Sequence, residues 1–156
     1  MKKIITVFLL SLFSVLLVSC PAGIAAVYLN IRLYVENPED NSLLSETDLD
    51  SLIVTSNINV HRDYTLSPHL PKSQNDEEGN YYILLTAYIG SAHTDAGIKK
   101  VSNSYHEKLR GYYYDISDPV GNKYKPYHGR DLQTNYEVVE SVHAPTIKYR
   151  IKLEKN

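Results

Sequence analysis

The chain has 156 residues, one cysteine, no tryptophan and 14 tyrosines, with a formal net charge of −2 at pH 7. A lone cysteine excludes an internal disulfide, so packing alone must hold the fold. The acidic balance disfavours nucleic acid, which calls for a basic footprint.

The first 20 residues have the order of a secretory signal. Lys2 and Lys3 open it, an apolar run of 15 residues follows from Ile4 to Val18, and Leu17-Val18-Ser19-Cys20 closes it. Leu-Val-Ser-Cys resembles the lipobox of bacterial lipoprotein precursors. The resemblance covers this stretch alone. It implies cleavage between Ser19 and Cys20, diacylglycerol on the Cys20 thiol and an acyl chain on the new amino group. An uncleaved spanning helix and an ordinary cleaved signal are the alternatives. The run falls short of the roughly 20 residues that cross a bilayer core, and Pro21 and Gly23 interrupt its continuation. One acyl chain holds only marginally, whereas two or more anchor firmly. An acylated Cys20 leaves no thiol for a metal or for nucleophilic attack, and no further cofactor is expected.

Residues 1–19 are thus read as the signal peptide, 20–26 as the lipidated cysteine and a short tether, and 27–156 as one domain. Removing 19 residues leaves 137, with 14 basic and 18 acidic side chains. From Pro21 to Ile98 there are 3 basic and 11 acidic residues; from Lys99 to Asn156 there are 11 and 7. Such asymmetry fits either a partner or two oppositely charged strands paired in one sheet. The tether reaches at most about 20 Å, which holds the body close to the lipid. No acidic run follows Cys20, so the expected location is the outer membrane, facing the periplasm.

Val27 to Glu36 alternates apolar and polar residues with period two and predicts a strand. Asn37-Pro38-Glu39-Asp40-Asn41 has turn chemistry. Ser45 can cap a short helical turn with Asp48 at its third position. Ile53 to Tyr64 reads as a second strand, and Ser67 to Asn80 as a long aperiodic loop. Tyr81 to Ile89, apolar on both faces, predicts a central strand. Gly90 to Gly97 reads as a loop, and Lys99 to His106 as a weak strand or an irregular crossing. Leu109 to Ile116 is strand-like, and the Asp118–Asn122 turn leads into Lys123 to Tyr127 to form a hairpin. Tyr136 to Val142 and Thr146 to Leu153 complete the set.

Seven or eight short strands with no long helix predict an all-β fold. Its expected form is an antiparallel β-sandwich of immunoglobulin-like or transthyretin-like kind, with a small open barrel as the alternative.

Motifs of catalysis are sparse. The histidines at 61, 69, 93, 106, 128 and 143 show no zinc-ligand spacing, and no Gly-x-Ser-x-Gly occurs. His128-Gly129-Arg130-Asp131 groups acid-base residue types in a loop, and the acidic stretches lack calcium-loop spacing. The compositional excess is tyrosine. Tyr112, Tyr113, Tyr114, Tyr124 and Tyr127 lie near lysines and arginines and are candidates for partner binding, because tyrosine supplies rigid amphipathic contact area. High β propensity gives the same residues a purely structural use.

The sequence therefore points to a non-enzymatic, lipid-anchored envelope protein that binds another envelope protein, as an accessory subunit of a secretion, assembly or adhesion system. A membrane-anchored inhibitor or immunity-type protein is the second reading, and a ligand-binding or enzymatic domain the third.

Overall fold

A computed structural model describes residues 23–58, 73–139 and 145–156. β1 (Ala25–Glu36) turns its sequence alternation into burial: Leu29, Ile31 and Leu33 are completely shielded from solvent, while Asn30 and Arg32 remain half-exposed. Both of its edges are occupied. β4 (Tyr81–Ala92) runs antiparallel along one edge, with Leu29 opposite Ala87 and Leu33 opposite Ile83. β8 (Thr146–Lys152) runs parallel along the other, with Ile31 opposite Ile147 and Val35 opposite Ile151. β3 (Gln74–Asn75) and β7 (Tyr136–Val139) extend this sheet to the order β3-β4-β1-β8-β7.

The second sheet contains β2 (Ile53–Ser56), β5 (Tyr114–Ser117) and β6 (Tyr127–Gly129), in that order and antiparallel throughout. Val54, Tyr114 and Ile116 share one buried apolar cluster with the inward residues of β1, β4 and β8. Tyr114 of the small sheet meets Tyr149 of the large one at 6.4 Å between ring centres. The fold is therefore the expected all-β sandwich, with eight strands among the described residues and a parallel β1–β8 pair within an otherwise antiparallel set.

Local signals explain the turns. The Ser45 hydroxyl oxygen accepts from the Asp48 amide at the start of α1 (Glu46–Asp50), as its spacing predicts. Asp118 is buried and accepts from the amides of Gly121 and Lys123, both at 2.8 Å, which closes the turn after β5. The β5–β6 hairpin is present, although β6 begins only at Tyr127, where the expected strand Lys123 to Tyr127 ends.

Three expectations need correction. The region expected as a loop and a weak strand is neither: Gly90 to Ala92 continue β4, and α2 (Asp95–Asn103) and α3 (Tyr105–Leu109) follow. Thr94 caps α2 by accepting from the Gly97 amide, and Ile98, Val101 and Tyr105, at helical spacing, pack against the core. The residues before Asn80 are less irregular than expected, because Gln74 and Asn75 pair with Tyr82 and Tyr81 around a tight turn. The strand expected from Leu109 starts only at Tyr114, since Leu109 ends α3 and the Tyr112 amide donates to its carbonyl. The expected continuations of β2 beyond Ile58 and of β7 beyond Val139 lie outside the described residues.

Gly129 sits directly opposite Tyr114 on the inner face, and a Cβ there would stand 2.5 Å from the tyrosine ring. The ring fills the space that a side chain would need. Gly129→Ala is expected to lower stability in urea unfolding by about 1–3 kcal/mol, the usual range for overpacking. Gly111→Ala, whose Cβ meets nothing within 4 Å, should leave the midpoint unchanged or slightly higher.

Candidate interaction surface

The structure separates the five candidate tyrosines. Tyr114 belongs to the core, 2 % exposed, with its ring stacked on that of Tyr127 at 6.1 Å. Burial above all, and then Tyr127 beside it, pushes the Tyr114 hydroxyl far above its ordinary value. Tyr112 is half-buried against the core, and desolvation raises its hydroxyl too. Tyr124 is half-buried where it bridges to Lys155; desolvation and then the Asp48 charge raise its hydroxyl. Tyr113 differs from the other four. The Arg130 guanidinium lies over its ring, 4.7 Å from the centre.

Local geometry holds Tyr113 in place. Its amide donates to Asn57 Oδ1 at 2.7 Å, and Asn57 Nδ2 donates to the Gly111 carbonyl at 2.6 Å. Asn57 thereby clamps this turn to the end of β2. Arg130 is fixed in turn by Asp115: its Nη2 lies 2.7 Å from Asp115 Oδ1, and His128 Nδ1 lies 2.8 Å from the same oxygen. Asp115 and His128 are direct cross-strand partners, so their side chains share the outer face of the small sheet.

The sequence cluster His128-Gly129-Arg130-Asp131 is accordingly split by strand alternation. His128 and Arg130 face outward onto Asp115, Gly129 faces the core, and Asp131 turns back to accept from Gln133 and Thr134. Asp115 is the member that sequence reading missed. The signal for it is the hairpin register, which sets Asp115 opposite His128 and is not fixed by composition.

Across the sheet the order is Thr55, Asp115, His128. The carboxylate, rather than the imidazole, adjoins the hydroxyl, the reverse of what activating a nucleophile requires. An aromatic face, a guanidinium, an imidazole and a carboxylate lie together on this face. Beside it a cleft of about 440 Å³ opens, lined by Tyr127, Arg130, Leu132 and Tyr149 among others.

A second groove, of about 330 Å³, lies on the outer face of the large sheet. Tyr34, Lys148 and Arg150 line it from the strands, and the Asp76–Asn80 turn and Asn135–Glu137 contribute from its flanks. The Tyr34 hydroxyl donates to Asp76 Oδ2 at 2.9 Å, and Lys148 lies over the Tyr34 ring. Desolvation alone would raise the Asp76 carboxyl, but donors from Asn80, Tyr34 and Glu78 outweigh it and hold the group below the ordinary carboxylate value.

No three His, Cys, Asp or Glu side chains among the described residues are placed to hold a metal, and no described helix is long and apolar enough to cross a membrane. Ser19, Cys20, His61, His69 and His143 lie outside the described residues. No family model, curated protein or solved structure matches this chain.

Burial raises the hydroxyls of both Tyr114 and Tyr149 well above their ordinary value of 10.0. Above that pH the unfolded chain loses these protons while the folded chain keeps them, so stability falls as pH rises. Urea midpoints are expected to decline above about pH 10, and Tyr149→Phe is expected to flatten that decline while lowering the neutral-pH midpoint through loss of the hydrogen bond to the Leu132 carbonyl.

Proposed function

We propose that this chain is a lipid-anchored, non-enzymatic envelope protein whose β-sandwich binds another envelope protein. The anchor is the Cys20 of the Leu17-Val18-Ser19-Cys20 segment. The partner surface is the outer face of the small sheet. The observation that carries this reading is the Tyr113, Arg130, Asp115 and His128 cluster. It sets a guanidinium stacked on an aromatic ring on an open sheet face, where side-chain exposure is 52 % for Arg130 and 61 % for His128.

Two physical points support it. Tyrosine and arginine are the side chains that most often dominate interface energies, and here each holds the other in a fixed geometry before a partner arrives, which lowers the entropy lost on binding. Of the tyrosines first singled out, Tyr113 lies on this face; Tyr127 shares the inward face with Tyr114, on which it stacks, and Tyr112 and Tyr124 are half-buried against the core.

The test uses the full chain in its native membrane. A photoreactive side chain at His128 should crosslink to one envelope protein, whereas one at Glu46, on the exposed face of α1, should not. Arg130→Ala should reduce the crosslink about ten-fold, as loss of ~1.4 kcal/mol from a hot spot would. Cys20→Ala should lose its acyl mass and leave the membrane fraction. Crosslinking indifferent to Arg130, or a wild-type chain without acyl mass, would contradict the respective half of the proposal.

A further inference from the structure

The two ends of the sandwich differ, and the sequence ties one of them to Cys20. Ala25, the first residue of β1, is five residues beyond Cys20, and five extended residues reach at most about 18 Å. β1 is 12 residues long, which at about 3.3 Å per residue places Glu36 roughly 36 Å from Ala25.

At the Ala25 end, β1 and β4 finish together, with Ala25 opposite Ala92, and the chain passes directly into α2. The helix closes this end of the core. Gly90 makes the close approach possible, because a Cβ there would stand 2.8 Å from Val101 Cγ1. With Ile98 and Val101 turned inward, Ala96, Lys99 and Lys100 are left exposed. Neither lysine is ion-paired with another described residue, and Asp95 is the helix's one acidic group. At the same end of the sheet stand Ile24, 66 % exposed, and, on the sheet face opposite the inward Val27 and Leu29, the half-buried pair Tyr28 and Tyr88, edge to face at 5.9 Å. The Glu36 end is different in kind: there Lys155 pairs with Glu39, Lys123 with Asp48 and Arg150 with Glu36, and Lys152 donates to the Asn41 side chain, so its cations are already engaged within the fold.

Unpaired lysines beside an exposed apolar side chain and amphipathic aromatic rings are the elements that seat a protein at the head-group layer of a bilayer. We propose that the Ala25 end is a docking surface for anionic phospholipid. Lys99 and Lys100 contact the phosphates, while Ile24, Tyr28 and Tyr88 lie at the head-group boundary. The proposal rests on the lipid-anchor reading of Cys20, which brings this end within reach of the bilayer. Docking fixes the orientation that the tether alone leaves free, and it turns the Glu36 end away from the membrane.

The test reads orientation in the full lipidated chain, reconstituted in phosphatidylethanolamine vesicles with or without phosphatidylglycerol. Cys20 is the sole native cysteine and its acylated thiol does not label, so Ala96→Cys and Val120→Cys each take one fluorophore; Val120 is 86 % exposed in the turn after β5. Quenching by lipid-borne quenchers is expected to be at least about three-fold stronger at 96 than at 120. It should fall towards the level at 120 when Lys99→Glu and Lys100→Glu are combined, or when phosphatidylglycerol is omitted. Equal quenching at the two sites on a chain whose intact mass shows acylation overturns the docking surface and leaves the anchor standing. A Cys20 without acyl mass that itself takes the fluorophore overturns the anchor; phosphatidylglycerol-dependent quenching at 96 on that chain would retain the docking surface, and loss of vesicle binding would remove both.

Discussion

Everything in this molecule depends on the burial of β1 with both of its edges hydrogen-bonded. Leu29, Ile31 and Leu33 carry no exposed surface, and each fully buried aliphatic side chain stabilises the fold by about 1.5–3 kcal/mol. One edge of β1 is covered by β8, the last strand, in parallel register with Ile31 beside Ile147. The pairing joins residues more than a hundred positions apart, so the core of the large sheet cannot close until the C-terminal strand is available. The small sheet completes the other side of the core through Tyr114, whose ring takes the space above Gly129 and reaches Tyr149 across the two layers.

The strands were legible in the sequence where one face is plainly wet. β1 and β8 alternate so cleanly that their inward residues can be read directly, and Ser45 and the Asp118–Asn122 stretch announce a cap and a turn by residue type. α2 was not legible to a strand-centred reading, because two glycines and several β-branched or small residues weaken helix propensity between Gly90 and Asn103. The deciding signals there are positional: Thr94 three residues before Gly97, and Ile98 and Val101 on one face of α2, with Tyr105 opening α3 towards the same core. The parallel β1–β8 pairing has no local signature at all, since it is a choice among partners made by the whole fold.

The candidate surface shows the same division. Composition located the tyrosine-rich region, but it treated as equivalent five residues that strand alternation sends in different directions. Tyr114 became core, whereas Tyr113 became the aromatic base for Arg130. Asp115, which holds both Arg130 and His128, is apparent only once β5 and β6 are placed in register. A strand that begins five residues after Cys20 organises the core, and the sheet packed against that core carries an aromatic and charged patch on its outer side.

Hydrogen exchange followed strand by strand tests the central claim that β1 is the structural keystone. The amides of Leu29 to Leu33, with those of Ile147 to Ile151, are expected to exchange most slowly, opening only with global unfolding, while β5 and β6 exchange through smaller openings. Faster exchange in β1 than in β5 would contradict it, and would place the stable centre of the molecule in the small sheet.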